Sequence, residues 1–385
     1  MAPPALLHPF ARPAADRFVT IVRGEGAAVF DADGTRYVDG LASLWYCNVG
    51  HGRNEIAQAV ADLAPLPRAR VFLTSSGSEA VDTAFKLARL TFQLSGQPRR
   101  QVVVSRTLGY HGTNVGGTAL QGLPLNREGW GHLLDEVEIV AHDDLDAARA
   151  LFADRGDEIA AVVAEPVIGA GGVHPATAEY LAGLRTLCDE HGALLVFDEV
   201  ITGFGRLGTW FAGGLHGVTP DLLTFAKAVT SGYQPLGGVV VGARVREVLE
   251  ADDTFVLRHG YTYSGHATAC AAGLANLALL RDEALLDRVP GIAKRLGDGL
   301  AQLRDDGLVA GVRGQGGIWA AGMHADVDAV AVRDEMLQRG VIARPIGPAT
   351  LAFCPPLVID DDDLDRCVTA LHDALLAVGR RDAPA

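Results

Sequence analysis

Short, nearly unbroken apolar runs recur through the first two-thirds of the chain, with helical spacing in several of the stretches between them. Val71–Thr74, Gln101–Ser105, Ala160–Ala164, Ala193–Phe197, Leu222–Phe225 and Gly237–Gly242 have strand length. They do not alternate apolar with polar residues, so the pattern predicts strands buried on both faces. Glu79–Leu90 and Ala176–His191 show helical spacing. Together these elements predict an α/β domain built on a mostly parallel sheet of the seven-stranded type. Ahead of them, Ala27–Phe30 and Arg36–Val38 flank Asp33-Gly34 and predict a hairpin.

The texture changes near Asp282. A charged amphipathic helix over Leu285–Asp305 leads to Gly-rich strands around Gly314–Met323. A helix over Val327–Arg339, strands within Val341–Cys354 and a final helix after Ile359 follow. This predicts a smaller α+β domain. The expected division is an N-terminal segment at 1–45 belonging to the small domain, a large domain at 46–280 and the rest of the small domain at 281–385. A chain of 385 residues is longer than one ordinary core supports, which agrees with two domains. The acidic run Asp360–Asp363 reads as negative charge at a helix N-terminus, not as a metal site.

A net charge of −14 argues against a nucleic-acid or anionic-membrane surface. Met1–Asp16 has no basic segment followed by an apolar stretch, and no run is long enough to span a bilayer. The five cysteines are scattered without a CxxC pair, which fits a reducing cytoplasm. Of the 33 basic residues only Lys86, Lys227 and Lys294 are lysines, so lysine chemistry has three candidate positions.

Lys86 lies within a helix and Lys294 in the charged helix, where both read as solvated side chains. Lys227 follows the apolar run Leu222–Phe225 and precedes small residues, a setting that can desolvate an amine and make it nucleophilic. A surface-loop lysine would look the same at this level. Asp198 ends the apolar run Ala193–Phe197, at the strand edge where α/β proteins set functional groups, although a helix cap would also suit it. The distance along the chain between Asp198 and Lys227 allows one crossover back into the same sheet. An acid and an amine would then sit at neighbouring strand ends. Thr74-Ser75-Ser76-Gly77-Ser78 joins a strand to a helix, bringing free N–H groups and hydroxyls to a helix N-terminus suited to phosphate.

The chain resembles the class III (ω-type) aminotransferases of pyridoxal-phosphate fold type I. The matching strings are Ser76-Gly77-Ser78-Glu79-Ala80, Tyr110-His111-Gly112, Glu165-Pro166-Val167, Phe197-Asp198-Glu199-Val200, Gly203-Phe204-Gly205-Arg206, Phe225-Ala226-Lys227, Thr262-Tyr263-Ser264-Gly265-His266 and Pro355-Pro356-Leu357, in the family's order. The resemblance implies pyridoxal 5′-phosphate as cofactor, with Lys227 as Schiff-base lysine and proton shuttle and Asp198 paired with the pyridine nitrogen. It implies phosphate contacts from Ser76, Gly77 and Ser78, ring contacts from Tyr110 and Val200, and Glu165 near the cofactor's oxygen side. His111 would lie at the same site, structural in role. Thr262 would reach the phosphate of a neighbouring subunit, which implies a homodimer or a tetramer built from it.

Differences point to a subgroup. Relatives that use 2-oxoglutarate carry an arginine just before the Pro-Pro pair, where this chain has Ala352, and a gating glutamate where it has Ala170. Instead, Arg344 resembles the mobile arginine, and Trp45 an aromatic wall residue, of the amine:pyruvate and β-alanine:pyruvate enzymes. The implied reaction moves an amino group from an ω-amino acid or primary amine to pyruvate or another 2-oxo acid. Alternatives are amination of an aldehyde or ketone in natural-product biosynthesis, another fold type I reaction such as an aminomutase or racemase, and a non-enzymatic regulator that binds the cofactor. One departure stands out: Ala61-Asp62-Leu63 runs almost directly into Val71–Thr74, where the family carries a further helix and loop.

Overall fold

A computed structural model describes residues 69–381 continuously, with 21–25, 28–31, 33–34, 36–38, 62 and 66 ahead of them. The first elements are strands β1 (Ile21–Glu25), β2 (Ala28–Asp31) and β3 (Arg36–Val38), paired antiparallel in that order. Gly34, between β2 and β3, has φ +82°, the left-handed backbone that an Asp-Gly turn uses. Strand β1 extends the expected hairpin by one member. Trp45 falls outside the described residues.

A seven-stranded sheet follows. Its members are β4 (Arg70–Thr74), β5 (Val102–Arg106), β6 (Val137–Val140), β7 (Ile159–Ala164), β10 (Leu194–Asp198), β11 (Leu222–Phe225) and β12 (Gly237–Val241), with a small hairpin, β8 (Val167–Ile168) and β9 (His174–Pro175), set outside it. The spatial order is β4-β12-β11-β10-β7-β5-β6. All are parallel except β12, which runs antiparallel to both its neighbours. The link from Ala226 to Leu236 is too short for a crossover helix, so β12 must return beside β11 in the opposite sense. Strand β6 escapes the periodicity reading because it is an edge strand of four residues, interrupted by Glu138.

Helix α1 (Gly77–Leu94) begins where the Ser76 hydroxyl accepts the Glu79 N–H, and Glu79 reaches back to accept the Ser75 N–H at 2.7 Å. Its apolar stripe, Ala80, Ala84, Leu87 and Ala88, packs on the sheet with Val103, Val163, Val196 and Val239. The opposite sheet face is covered by α4 (Ala178–His191), through Leu181, Leu184 and Cys188. Helix α7 (Ala267–Asp282) was not expected from spacing, because alanine and leucine surround it on all sides.

Helix α8 (Leu285–Asp305) opens the C-terminal part. It and the final helix, α10 (Asp361–Arg381), pack with an antiparallel sheet of order β13-β14-β16-β15: β13 (Gly311–Gln315), β14 (Ile318–Gly322), β15 (Arg344–Ile346) and β16 (Thr350–Phe353). Among the described residues no helix is long and apolar enough to cross a membrane.

The Trp319 indole of β14 lies against Gly297 of α8 and Gly314 of β13; a Cβ at Gly297 would stand 2.7 Å from the ring. Glycine there lets the helix approach the sheet at the depth the indole sets. Gly297→Val should therefore lower unfolding stability by about 1–3 kcal/mol, read from urea denaturation. A wild-type midpoint would mean that the helix shifts freely.

Candidate active site

The pairing of β10 with β11 builds the site. Asp198, the last residue of β10, lies beside Thr224 in parallel register, and Lys227 comes three residues after Thr224. Acid and amine thus leave the same edge of the sheet. Lys227 opens a single 3-10 turn, Lys227–Val229, with φ +45°. A cleft of about 390 Å³ lies between these ends and the start of α1. Ser76, Gly77, Ser78, Tyr110, His111, Glu165, Asp198, Val200 and Lys227 all line it.

Asp198 is buried, and every oxygen has a donor. Oδ2 accepts from His111 Nδ1 at 2.7 Å; Oδ1 accepts from the Thr224 hydroxyl at 3.0 Å and the Val200 N–H at 3.2 Å. Burial opposes a charge here, but the bond and charge of His111, the Val200 N–H and the Lys227 ammonium outweigh it. They hold the carboxyl below its ordinary value. The Lys227 side chain is exposed to the cleft, yet walled by protein. That enclosure lowers its pKa, against the pull of Asp198 and Glu165 and with the push of Arg344. Glu165 accepts the Tyr110 N–H at 3.0 Å and the Gly169 N–H at 3.0 Å, so it fastens the backbone of the tyrosine to the loop after β7. Its burial pushes its carboxyl up.

At the other end of the cleft, the first-turn N–H groups of Gly77 and Ser78 have no intrahelical acceptor. Gly112, at φ +95°, backs onto Ser78: a Cβ would come within 2.6 Å of the Ser78 hydroxyl. That hydroxyl accepts the Thr113 N–H at 3.0 Å. The result is a small-residue cradle with polar hydrogens, suited to an anion.

Arg344 lies apart from this cluster. It lines a wider cavity of about 1350 Å³ that also contains Lys227, Ala170 and Ala352. It has no ion pair among the described residues, whereas Arg206 on the same wall is committed to the carbonyls of Gly317 (3.0 Å) and Pro355 (2.7 Å). Thr262 sits in an exposed turn and does not line the smaller cleft.

A family model, aminotransferase class-III, matches residues 63–375. The chain belongs to the class III aminotransferases. It is 33% identical to putrescine–pyruvate aminotransferase of Pseudomonas aeruginosa, over 92% of this chain and 90% of that one. It is 35% identical to β-alanine–pyruvate aminotransferase of the same organism, covering 92% and 91%. A solved amine transaminase from an uncultivated Pseudomonas species, in its pyridoxal-phosphate-bound form, superposes with a TM-score of 0.77 at 33% identity, covering 98% and 100%. The alignments with the two Pseudomonas aeruginosa enzymes span 418 and 410 positions, more than the 385 residues of this chain, so those enzymes carry residues that it lacks.

Class III aminotransferases work through pyridoxal 5′-phosphate. The residues of this aminotransferase fit that group: a cradle for phosphate at one end, a carboxylate kept ionised at the other and an amine between. Thr224 belongs to the arrangement too. Its signal in the sequence is a lone polar residue inside the apolar strand Leu222–Phe225.

Glu199, next to the catalytic candidate Asp198, was not singled out from the sequence. It is wholly buried and accepts the Ala212 and Gly213 N–H groups (2.6 and 3.2 Å) and the Thr202 hydroxyl (3.0 Å). Burial pushes its carboxyl up to about 7, against those three donors. From its ordinary value of 4.5 up to about 7, the folded state therefore holds a proton that the unfolded chain has lost. The associated stability is present below that window and is lost as pH rises through it. Glu199→Gln should flatten the fall in Tm between pH 4.5 and about 7. An unchanged slope would assign the titration to another group.

Proposed function

We propose that this aminotransferase transfers an amino group from an ω-amino acid or primary amine to pyruvate or another 2-oxo acid. The observation that carries the substrate class is Arg344, a cation without an ion pair among the described residues, in the cavity it shares with Lys227. Ala170 and Ala352 line the same wall, so the two positions where 2-oxoglutarate users carry charged groups present only methyls. The names of the two Pseudomonas aeruginosa relatives, which pair putrescine or β-alanine with pyruvate, support the same reading.

In this reading Ser76, Gly77 and Ser78 bind the cofactor phosphate, while Tyr110 and Val200 cover the two faces of its ring. Asp198 accepts the hydrogen bond of the ring nitrogen, and His111 keeps that carboxylate oriented and charged. Glu165 fixes the backbone that carries Tyr110. Bound pyridoxal phosphate supplies an electron sink that makes the proton on the amine-bearing carbon removable. Lys227 holds the cofactor through its Nζ and, once displaced, takes and returns that proton. Arg344 binds the pyruvate carboxylate through paired N–H groups and turns away for an apolar amine. For Trp45, outside the described residues, the part in substrate binding rests on the family resemblance alone. Thr262 serves the phosphate site of a second subunit, making the working unit a homodimer; the exposed Thr262-Tyr263 turn supports this. A cytoplasmic setting is part of the same reading. A second reading, amination of a bulky aldehyde or ketone, draws support from the cavity of about 1350 Å³.

Borohydride reduction followed by peptide mapping should fix the cofactor on Lys227, and label on Lys86 or Lys294 would overturn that role. Amine panels with pyruvate, 2-oxoglutarate and bulky ketones as acceptors test the substrate class, with fastest turnover expected for pyruvate.

Arg344→Ala should raise KM for pyruvate about tenfold to a hundredfold, the loss of a charge-assisted paired contact. KM for an amine lacking a carboxylate should change far less. Equal effects on both would make Arg344 a structural residue.

A further inference from the structure

Helix α7 buries one face, Ala269, Cys270, Gly273, Asn276, Leu277 and Leu280. Asn276 is the polar member of that face. A buried carboxamide in an apolar stripe is costly unless its donors and acceptor are used. Here all of the bonds go to one place. Nδ2 donates to the carbonyls of Ala228 (2.8 Å) and Val229 (3.2 Å), and Oδ1 accepts from the Ser231 hydroxyl at 2.6 Å. These are the residues of the turn that begins at Lys227.

That turn needs restraint. Lys227 has φ +45° and Ser231 φ +49°, left-handed backbone that L-residues adopt at a cost and keep only when their surroundings over-determine it. The restraint comes from two sides. The Thr230 hydroxyl donates to the Gln234 carbonyl at 2.6 Å, and α7 closes on the turn from the other side. Gly273, on the same helix face, permits the approach: a Cβ there would stand 3.1 Å from Leu236 Cδ2 and 3.7 Å from the Val229 carbonyl. Asn276 itself does not line the smaller cleft.

We propose that Asn276 is a positioning residue for amino transfer: it locks the backbone turn that starts at Lys227, so that the amine enters the cleft from one fixed base. The inference rests on the reading of Lys227 as the residue that carries the cofactor. Asparagine suits the task because two carbonyls need two N–H donors. Aspartate would face them with oxygen, and leucine would leave the Val229 carbonyl without this donor and the Ala228 carbonyl with the Ser231 N–H alone, at 3.3 Å.

The test compares wild type, Asn276→Leu and Ser231→Ala, each with pyridoxal phosphate bound. Asn276→Leu keeps the branched outline with bulkier methyl ends and adds no charge; Ser231→Ala, at the open rim, removes one contact only. Asn276→Leu should lower kcat about tenfold, with KM for amine and pyruvate within about twofold. The pH midpoint of the visible absorption band should rise by about half a unit, because a loosened lysine is less enclosed. Ser231→Ala should move the midpoint in the same direction by less. Folded Asn276→Leu with wild-type kcat and midpoint would overturn the inference. Should that variant not fold, an unshifted midpoint in Ser231→Ala would overturn it alone. Borohydride mapping of wild type, run alongside, separates the two levels. Label on Lys227 keeps the lysine's role even where the positioning inference fails. Label elsewhere removes both.

Discussion

Everything at the site depends on the parallel hydrogen-bonded pairing of Leu194–Asp198 with Leu222–Phe225. Both strands are apolar and wholly buried, so their register is held by core packing on both faces of the sheet. A one-residue slip would turn Asp198 and Thr224 away from each other and bury a carboxylate without its hydroxyl donor. The cleft therefore inherits the register of the sheet, and the turn after β11 carries the amine.

Three buried carboxyls, Glu165, Asp198 and Glu199, crowd this sheet edge, and they are not equivalent. Asp198 has a histidine partner at 2.7 Å and an ammonium across the cleft, so the negative charge settles there. Burial raises both glutamates, and that charge adds to the rise. Their oxygens are used to hold backbone, Glu165 at Tyr110 and Gly169, Glu199 at Ala212 and Gly213. One carboxylate stays charged at the cleft, and its two neighbours fasten the loops that shape the pocket.

The C-terminal sheet completes the cavity. Arg206, on the loop after β10, donates to Gly317 and Pro355, and the Arg206 carbonyl accepts the Gly317 N–H at 2.8 Å. The same loop begins at Val200, against the cofactor cleft. Thus the wall bearing Arg344 and Ala352 is stitched directly to the segment that borders Asp198.

The sequence by itself determined the strand runs, the α/β class and the candidates Asp198, Lys227 and Ser76–Ser78, and its resemblance to a family named the other residues that meet in the cleft. Buried strands must be apolar throughout, and a polar residue at their ends or a glycine-serine cap on a helix stands out against that background. It also carried the pattern of absences, Ala170 and Ala352, that turned attention to Arg344. What it left open were facts of three-dimensional neighbourhood. Strand β6 and helix α7 lack a periodic signal, the one because it lies at a sheet edge, the other because small apolar residues surround it. His111 beside Asp198, Thr224 beneath it, Glu199 behind it and Asn276 under the lysine turn all lie far from their partners along the chain or carry no pattern of their own. Only tertiary packing decided them, because a hydrogen bond between buried groups is specified by the approach of two elements and leaves no periodic mark on either.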